Sequence, residues 1–174
     1  LATLRANAEM LMNIDDRVAL KVPATQDGYT LASEISATGH PVLLTATYSP
    51  LQIAMAAAAG IPYCAPYLGR LNDTGVDGLG VIKQMQDVLF GTGSETELIV
   101  ASIRQPDDIP ALAALGVSHV TIGDKVLRMM FDNELTAAER KSLTAYTGGI
   151  YRDINAAVTG RDKNPASSIA THVS

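Results

Sequence analysis

The sequence contains no tryptophan, only two phenylalanines, and a single cysteine, Cys64. A lone cysteine cannot form an internal disulfide, so we expect a protein of the reducing cytoplasm. The Cys64 side chain is interpreted as a small buried hydrophobic group, with a catalytic thiol as the alternative. No apolar run approaches the roughly 20 residues that span a bilayer, and the first residues do not have the layout of a signal peptide. We therefore expect no membrane association.

Positive charge is also scarce. The chain has 13 basic and 18 acidic side chains, a net charge of −5, and no segment that concentrates the basic residues. A nucleic-acid surface needs a basic patch with aromatic residues for stacking, so nucleic acid is excluded as a partner. The histidines His40, His119 and His172 are isolated, with no second ligand at metal-binding spacing, so no metal site is expected.

What the sequence does contain is apolar material, which makes up 47% of its 174 residues and suffices for one domain with a buried core. Short β-rich runs recur, and each is followed by a stretch with helical features. Strands alternating with helices indicate a parallel sheet with crossover helices. The predicted strands span residues 17–23, 41–47, 62–67, 97–103 and 119–123.

The intervening segments carry helix signals. Ser49 and Pro50 are placed as the N-cap and first residue of a helix that Gly60 closes. Tyr29, Ala32 and Ile35 recur at helical spacing. Further helices are predicted over residues 1–13, 27–38, 77–89 and 106–115.

Two architectures share this alternation, an open doubly wound sheet and a closed (β/α)8 TIM barrel. The nucleotide-binding fingerprints of the open sheet, GxGxxG and GxxxxGK[ST], are absent, so the barrel is favoured. A barrel has eight strands and typically about 250 residues, whereas this chain supplies about five strands. Its first three strand–helix units are therefore expected to lie before Leu1. We predict a partial barrel domain over residues 1–158 and a polar tail over residues 159–174.

One lysine occupies an inward position of the predicted sheet. Residues two apart on a strand share a face, so Ala19, Lys21 and Pro23 lie opposite an apolar face that would pack on helices. Lys21 would then point into the barrel. A neutral amine in a low-dielectric pocket is what attack on a carbonyl requires. The alternative is a lysine at a strand end that reaches solvent or pairs with a carboxylate, and periodicity alone leaves both open.

Polar residues recur on neighbouring strands. The same alternation places Leu43, Thr45 and Thr47 on one face of the second strand, and Ala65 and Tyr67 on one face of the third. A threonine hydroxyl inside the barrel can hold a catalytic water. The alternative is a threonine present for its β-propensity.

Two arginines are expected at the carboxyl-terminal rim, where barrel active sites lie. Arg70 comes just after the third strand, while Val100, Ser102 and Arg104 are predicted to share a face of the fourth. Two guanidinium groups and a hydroxyl suit a phosphate. The alternative for each arginine is a solvated rim charge. Ser102 has no His–Asp partnership, so a hydrolase triad is not supported.

Four segments, in order, resemble the transaldolase and fructose-6-phosphate aldolase family. VALKVPAT at residues 18–25 is similar to the family's Schiff-base strand, close to V-K-[VI]-P-x-T. TATYS at 45–49 resembles the strand that follows it. APYLGRLND at 65–73 resembles [SA]-P-[FY]-x-[GN]-R-[IL]-x-D, and ASIR at 101–104 resembles A-S-[FI]-[RK].

The resemblance implies a class I aldolase or transaldolase that needs no metal or other cofactor. Lys21 would form a Schiff base and enamine with a phosphorylated, fructose-6-phosphate-like ketose, and a dihydroxyacetone unit would be cleaved off or transferred. Thr45 would help orient the catalytic water, and Tyr67 completes the implied catalytic set. The implied substrate-binding residues are Ala65, Arg70, Ser102 and Arg104, which would hold a phosphate or a sulfonate at the end of the sugar.

Departures from the family pattern shape two further expectations. Ala65, Tyr67 and Leu43 replace the Ser, Phe and Asn of classical transaldolases, and the Ala/Tyr pair is similar to the fructose-6-phosphate aldolase branch. The family's acid–base Asp and its Glu or Gln have no counterpart here and are expected before Leu1. Complete family members form rings, so a homo-oligomer is expected. The alternative function is a non-catalytic barrel that binds sugar phosphates.

Overall fold

The computed structural model of the protein describes residues 1–158. These residues belong to two compact units, one spanning Leu1–Met129 and one that begins at Met130. The polar tail predicted over residues 159–174 lies outside the described residues.

The first unit is built on a five-stranded parallel sheet in which every strand pairs with the next one along the chain. This order is what successive strand–helix units produce, and it confirms the predicted α/β class with a parallel sheet of five strands. The architecture is consistent with part of a TIM barrel. The strands are β1 (Leu20–Pro23), β2 (Val42–Thr47), β3 (Tyr63–Pro66), β4 (Glu97–Val100) and β5 (His119–Val120).

Seven helices of this unit are described, and three of them begin at side-chain caps. Thr25 accepts a hydrogen bond from the amide of Gly28, Asp77 caps Gly80, and Ser49 forms a reciprocal capping box with Gln52. The cap predicted at Ser49 is thereby confirmed. The helices are α1 (Ala2–Met12), α2 (Gln26–Ala37), α3 (Pro50–Ala58), α4 (Leu68–Asp73), α5 (Gly78–Thr92), α6 (Asp108–Ala114) and α7 (Asp124–Met129).

The two faces of the sheet differ in burial. One face joins the hydrophobic core beneath the helices, and each of its fully buried aliphatic side chains contributes about 1.5–3 kcal/mol. Lys21, Thr45 and Tyr63 lie on the opposite face, where Lys21 is exposed and the other two are half-buried. The buried face consists of Leu20, Val22, Val42, Leu44, Cys64, Leu98 and Val100.

A bulge corrects one prediction about β2. Ala46 has a φ of 57°, and the register with β3 shifts there, from Thr45 opposite Ala65 to Thr47 opposite Pro66. The extra residue breaks the alternation. Thr47 therefore does not share the face of Thr45, and the prediction that it does is wrong. Thr47 is fully buried, and its hydroxyl has no hydrogen-bond partner in the part of the chain that the structure describes.

The predicted common face of Val100, Ser102 and Arg104 is also wrong. β4 ends at Val100, which lies in the helix-covered core. Ala101 still forms a bridge to Tyr67, but Ser102 adopts a left-handed φ of 58°. Strand alternation therefore does not extend to Ser102 or Arg104.

Three helices were not predicted from the sequence: α4, α7 and the long helix of the second unit, α8 (Glu134–Val158). α8 begins after Asn133, whose side-chain oxygen accepts a hydrogen bond from the amide of Thr136. None of the helices within residues 1–158 is both long enough and apolar enough to cross a bilayer.

Candidate active site

Lys21 lies in the middle of β1, paired in register with Leu43, on the sheet face away from the helices. This orientation is the one that alternation predicted. Its side chain is exposed rather than buried, and none of the ion pairs within residues 1–158 includes it. The Nζ atom lies 5.7 Å from the centre of the Tyr67 ring, within the range of a cation–π contact. The amine therefore faces an aromatic ring rather than a carboxylate.

Tyr67 connects this lysine to Thr45. The hydroxyl oxygens of Thr45 and Tyr67 are 2.7 Å apart, and either hydroxyl can be the donor. Tyr67 follows β3 and is held by a bridge to Ala101 beside β4. The ring of Tyr48 packs edge-on against that of Tyr67, with centroids 5.9 Å apart and planes at 85°. The structure thus brings the three predicted catalytic residues, Lys21, Thr45 and Tyr67, into one cluster.

Ala65 stands beside Thr45 in the β2–β3 register and is buried. Its methyl group can supply an apolar contact but no hydrogen bond. Of the predicted substrate-binding residues, it is the one that lies next to the Lys21 cluster in the sheet.

Ser102 and Arg104 meet at the start of α4. The amide of Leu68 donates to the carbonyl of Ala101 at 3.0 Å, and that of Gly69 donates to the carbonyl of Ser102 at 2.9 Å. A Cβ at Gly69 would overlap that carbonyl and lie 2.6 Å from Arg104 Nε and 3.0 Å from Ser102 Oγ. Glycine at this position is therefore what allows the loop after β4 to approach α4 so closely.

Arg104 is already paired. Its Nη1 and Nη2 atoms each donate to one carboxylate oxygen of Asp73 at 2.5 Å, a bidentate arrangement. The hydrogen bonds from Arg104 lower the pKa of Asp73 below its ordinary value, so this carboxylate is charged at neutral pH.

Arg70 differs from Arg104. It is exposed on α4, and none of the ion pairs or side-chain hydrogen bonds found in residues 1–158 involves it. Arg70 and Arg104 therefore carry positive charge to the same region, but only Arg104 is held in one orientation by a carboxylate.

The sequence assigned no role to Gly69, Asp73 or Tyr48. All three fall inside the segments that carried the family resemblance, and Asp73 follows Arg70 by three residues on one helix. A partner for Arg104 could not be identified from spacing, because Asp73 precedes it by 31 residues.

The clefts elsewhere on the first unit do not include these residues. One of about 510 Å³ lies near the amino-terminal ends of β3 and β4 and is lined by Ala58, Gly60, Pro62 and Thr96, among others. The acidic, histidine and cysteine side chains of the described residues form no group of three or more that could hold a metal ion.

The arrangement offers three kinds of chemical group, on neighbouring strands and on the segments that follow them. A primary amine can attack a carbonyl, a pair of hydroxyls 2.7 Å apart can relay a proton or orient a water, and guanidinium groups can bind an anion. Such a set suits a substrate that has a carbonyl group and a terminal anion.

One family of known proteins is similar to this chain over most of its length. The family model for Transaldolase/Fructose-6-phosphate aldolase matches residues 2–163. A probable transaldolase of Coprothermobacter proteolyticus is 36% identical over 129 residues, which are 74% of this chain and 59% of that protein. One of Syntrophobacter fumaroxidans is 38% identical over 129 residues, 74% of this chain and 58% of the relative. The chain thus spans about six-tenths of the length of these curated relatives.

Proposed function

This chain belongs to the transaldolase/fructose-6-phosphate aldolase family, and from that premise we propose that it carries the Schiff-base site of a class I aldolase or transaldolase. The substrate would be a phosphorylated, fructose-6-phosphate-like ketose, from which a dihydroxyacetone unit is cleaved off or transferred. The observation that carries the proposal is the placement of Lys21 Nζ 5.7 Å from the Tyr67 ring, whose hydroxyl contacts Thr45.

In the proposed reaction, Lys21 Nζ attacks the ketone carbon and the resulting carbinolamine loses water to form an imine. The substrate hydroxyl two carbons from the imine carbon then gives up its proton to a base. The bond between the carbon that bears this hydroxyl and the carbon attached to the imine breaks, and its electron pair flows into the protonated imine to form an enamine. The aldehyde fragment leaves. The enamine then either takes a proton or adds to a second aldehyde, and in both cases hydrolysis of the resulting imine releases the product and frees Lys21.

Thr45 and Tyr67 have a defined part in this scheme. Their hydroxyls would orient the water that leaves with carbinolamine dehydration and returns in hydrolysis of the imine. Two hydroxyls at 2.7 Å can hold one water between donor and acceptor positions without carrying a charge themselves. The base that accepts the substrate's proton is proposed to come from outside this chain.

Arg70, Ser102 and Arg104 are proposed to hold the terminal anion of the sugar. The support is the contact of Ser102 and Arg104 around Gly69, together with the absence of an ion pair to Arg70 within residues 1–158. A sulfonate has the same tetrahedral arrangement of oxygens as a phosphate and would satisfy the same donors.

We also propose that further barrel units close over the sheet face that carries Lys21, supplied by the same protein or by a partner chain. The support is the exposure of Lys21 on that face and the longer chains of the relatives. Closure would exclude bulk water from around the amine and from the imine that it forms. A cytoplasmic homo-oligomer is proposed with it, and sedimentation of the natural protein would check the assembly.

Borohydride trapping tests the proposed function. Protein expressed from its natural reading frame is incubated with fructose 6-phosphate and sodium borohydride, and peptide mass spectrometry locates the reduced adduct. We expect the adduct at Lys21 and its loss in Lys21→Met. Lys83→Met is the matched control, because Lys83 is another exposed lysine but pairs with Asp87 on α5. An active Lys21→Met variant would refute the proposal, and sugar-phosphate binding without any adduct would favour a non-catalytic binding barrel.

A further inference from the structure

Asp73 occupies one whole edge of the Arg104 guanidinium group. Both terminal nitrogens of Arg104 donate to it, one to each carboxylate oxygen. An arginine offers five N–H donors in a planar fork, so this pairing leaves the Nε–H and the outer hydrogens of the terminal nitrogens for other acceptors.

The free edge of Arg104 lies beside Ser102. The Nε atom and the Ser102 Oγ atom are 2.6 Å and 3.0 Å from the single point where a Cβ at Gly69 would stand. Backbone hydrogen bonds from Leu68 and Gly69 hold Ala101 and Ser102 against α4, so this edge has a fixed neighbour. One anion could therefore accept hydrogen bonds from Nε–H and from the serine hydroxyl together.

We propose that Asp73 is a positioning residue for the anion site, since it holds the terminal nitrogens of Arg104 and thereby presents the Nε edge, next to Ser102, to the substrate's terminal anion. The inference rests on the proposed anion-binding role of Ser102 and Arg104. Asp73 itself does not contact the substrate. Its charge also offsets one of the two arginine charges nearby, which leaves the site with a net charge of about +1 from Arg70, Arg104 and Asp73.

Asp73 could either compete with the anion for Arg104 or orient Arg104 for it, and the two roles predict opposite changes in anion binding. If the anion had to displace Asp73 from the terminal nitrogens, Asp73 would be a competitor, and its neutralisation would tighten anion binding. If Asp73 orients Arg104, its neutralisation loosens a flexible side chain and weakens binding, because the guanidinium must then be ordered by the substrate itself.

The test measures binding of inorganic phosphate by calorimetry and the kinetics of fructose 6-phosphate cleavage in protein from the natural reading frame. For Asp73→Asn we expect the phosphate Kd and the fructose 6-phosphate KM to rise by about tenfold, with kcat within about twofold. Asp73→Glu, which keeps the carboxylate, should restore part of the loss.

Glu34→Gln is the matched control. Glu34 pairs with Arg5 through both carboxylate oxygens, and both side chains are 45% exposed, much as Asp73 and Arg104 are. Glu34→Gln therefore loses a comparable surface ion pair between α1 and α2 and should leave phosphate binding unchanged.

Arg104→Lys provides a second variant that does not depend on the folding of Asp73→Asn. A lysine cannot pair at one edge and present Nε–H at another, so we expect it to bind phosphate about as weakly as Asp73→Asn, with no further loss in the double variant. Unchanged or tighter phosphate binding in Asp73→Asn would overturn the inference, as would a natural protein that binds no phosphate. If either result is found but the Lys21 adduct still forms, the inference is refuted and the proposed function is not. If Asp73→Asn loses phosphate affinity but the wild type forms no adduct, the proposed function is refuted and the inference is not.

Discussion

The hydroxyl oxygens of Thr45 and Tyr67 lie 2.7 Å apart and join β2 to the residue that follows β3. This contact is the only direct hydrogen bond between two predicted catalytic side chains that the described residues show. The Tyr67 ring also lies below the Lys21 amine at 5.7 Å, so a change at Thr45 can reach the lysine through the position of a single ring.

We expect Thr45→Val and Tyr67→Phe each to lower kcat by about ten- to a thousandfold, because each removes one of the hydroxyls that would orient the catalytic water. The double variant should be little worse than either single one, since the two hydroxyls act as a unit. Steady-state kinetics of the three variants checks this. Independent, multiplicative losses would show that the hydrogen bond has no joint role.

Thr47→Val is the matched control for Thr45→Val, because the bulge at Ala46 places the two threonines on different faces. The Thr47 hydroxyl is buried with no partner among the described atoms, so its replacement by a methyl group should raise the free energy of unfolding by about 1 kcal/mol and leave kcat unchanged. Urea unfolding measures the difference. A destabilised Thr47→Val would mean that the hydroxyl has a partner after all.

Arg70→Gln should raise KM for fructose 6-phosphate by about ten- to a hundredfold, since a charged hydrogen bond is worth about 1.5–3 kcal/mol. The kinetics with unphosphorylated fructose should change much less. Arg17→Gln serves as the control, because Arg17 is 90% exposed and pairs locally with Asp15. Equal losses on both sugars would indicate a structural role for Arg70.

Gly69→Ala should lower the free energy of unfolding by about 1–3 kcal/mol, because the new Cβ would overlap the Ser102 carbonyl, a backbone atom that cannot rotate away. Gly91→Ala is the matched control. Gly91 lies in α5 with no atom within 4 Å of an added Cβ, so alanine there should stabilise the helix by up to about 1 kcal/mol. Thermal or urea unfolding compares the two. A Gly69→Ala variant as stable as the wild type would contradict the close approach of this loop.

Alkaline pH should destabilise the protein through Cys64. Burial raises the pKa of this thiol from 9.0 to about 12, and burial likewise raises that of Tyr29 to about 12. Between the unfolded and folded pKa values of Cys64, the unfolded thiol has lost its proton while the folded thiol keeps it. The unfolded state then binds fewer protons, so the free energy of unfolding falls as pH rises. From Cys64 alone we expect a loss on the order of 1 kcal/mol between about pH 7 and about pH 10.

Urea unfolding at the two pH values, in the wild type and in Cys64→Ala, measures this slope. Cys64→Ala should keep only the smaller contribution of Tyr29. An equally steep loss in Cys64→Ala would show that other groups titrate. The same burial should make Cys64 slow to react with thiol reagents at neutral pH, as expected for an interior hydrophobic side chain.

The sheet could be predicted because its signals are local. Apolar runs marked all five strands, and the predicted strands extend at most three residues beyond the observed ones at either end. The orientation of Lys21 followed from alternation, which holds as long as the strand is regular. The cap at Ser49 was recognisable because serine before proline at a helix start has a direct physical cause.

The features that were not predicted depend mostly on contacts between segments far apart in sequence. The bulge at Ala46 and the left-handed Ser102 carry no glycine or asparagine to mark them, so nothing in the sequence showed where alternation stops. The pairing of Arg104 with Asp73 spans 31 residues and forms only once the loop after β4 rests on α4. α8 was missed as well, since its hydrophobic residues are sparse and no strand pattern follows it.

The division of the sheet into two faces has a consequence for how this protein can change. Residues such as Leu44 and Val100 hold the helices in place on one side, while Lys21 and Thr45 on the other side take little part in that packing. Substitutions on the face that carries Lys21 should therefore change the free energy of unfolding less than substitutions on the face beneath the helices. A laboratory evolution campaign aimed at new sugars should keep more of its variants folded when it randomises positions near Lys21 than when it places the same mutational load on the helix side.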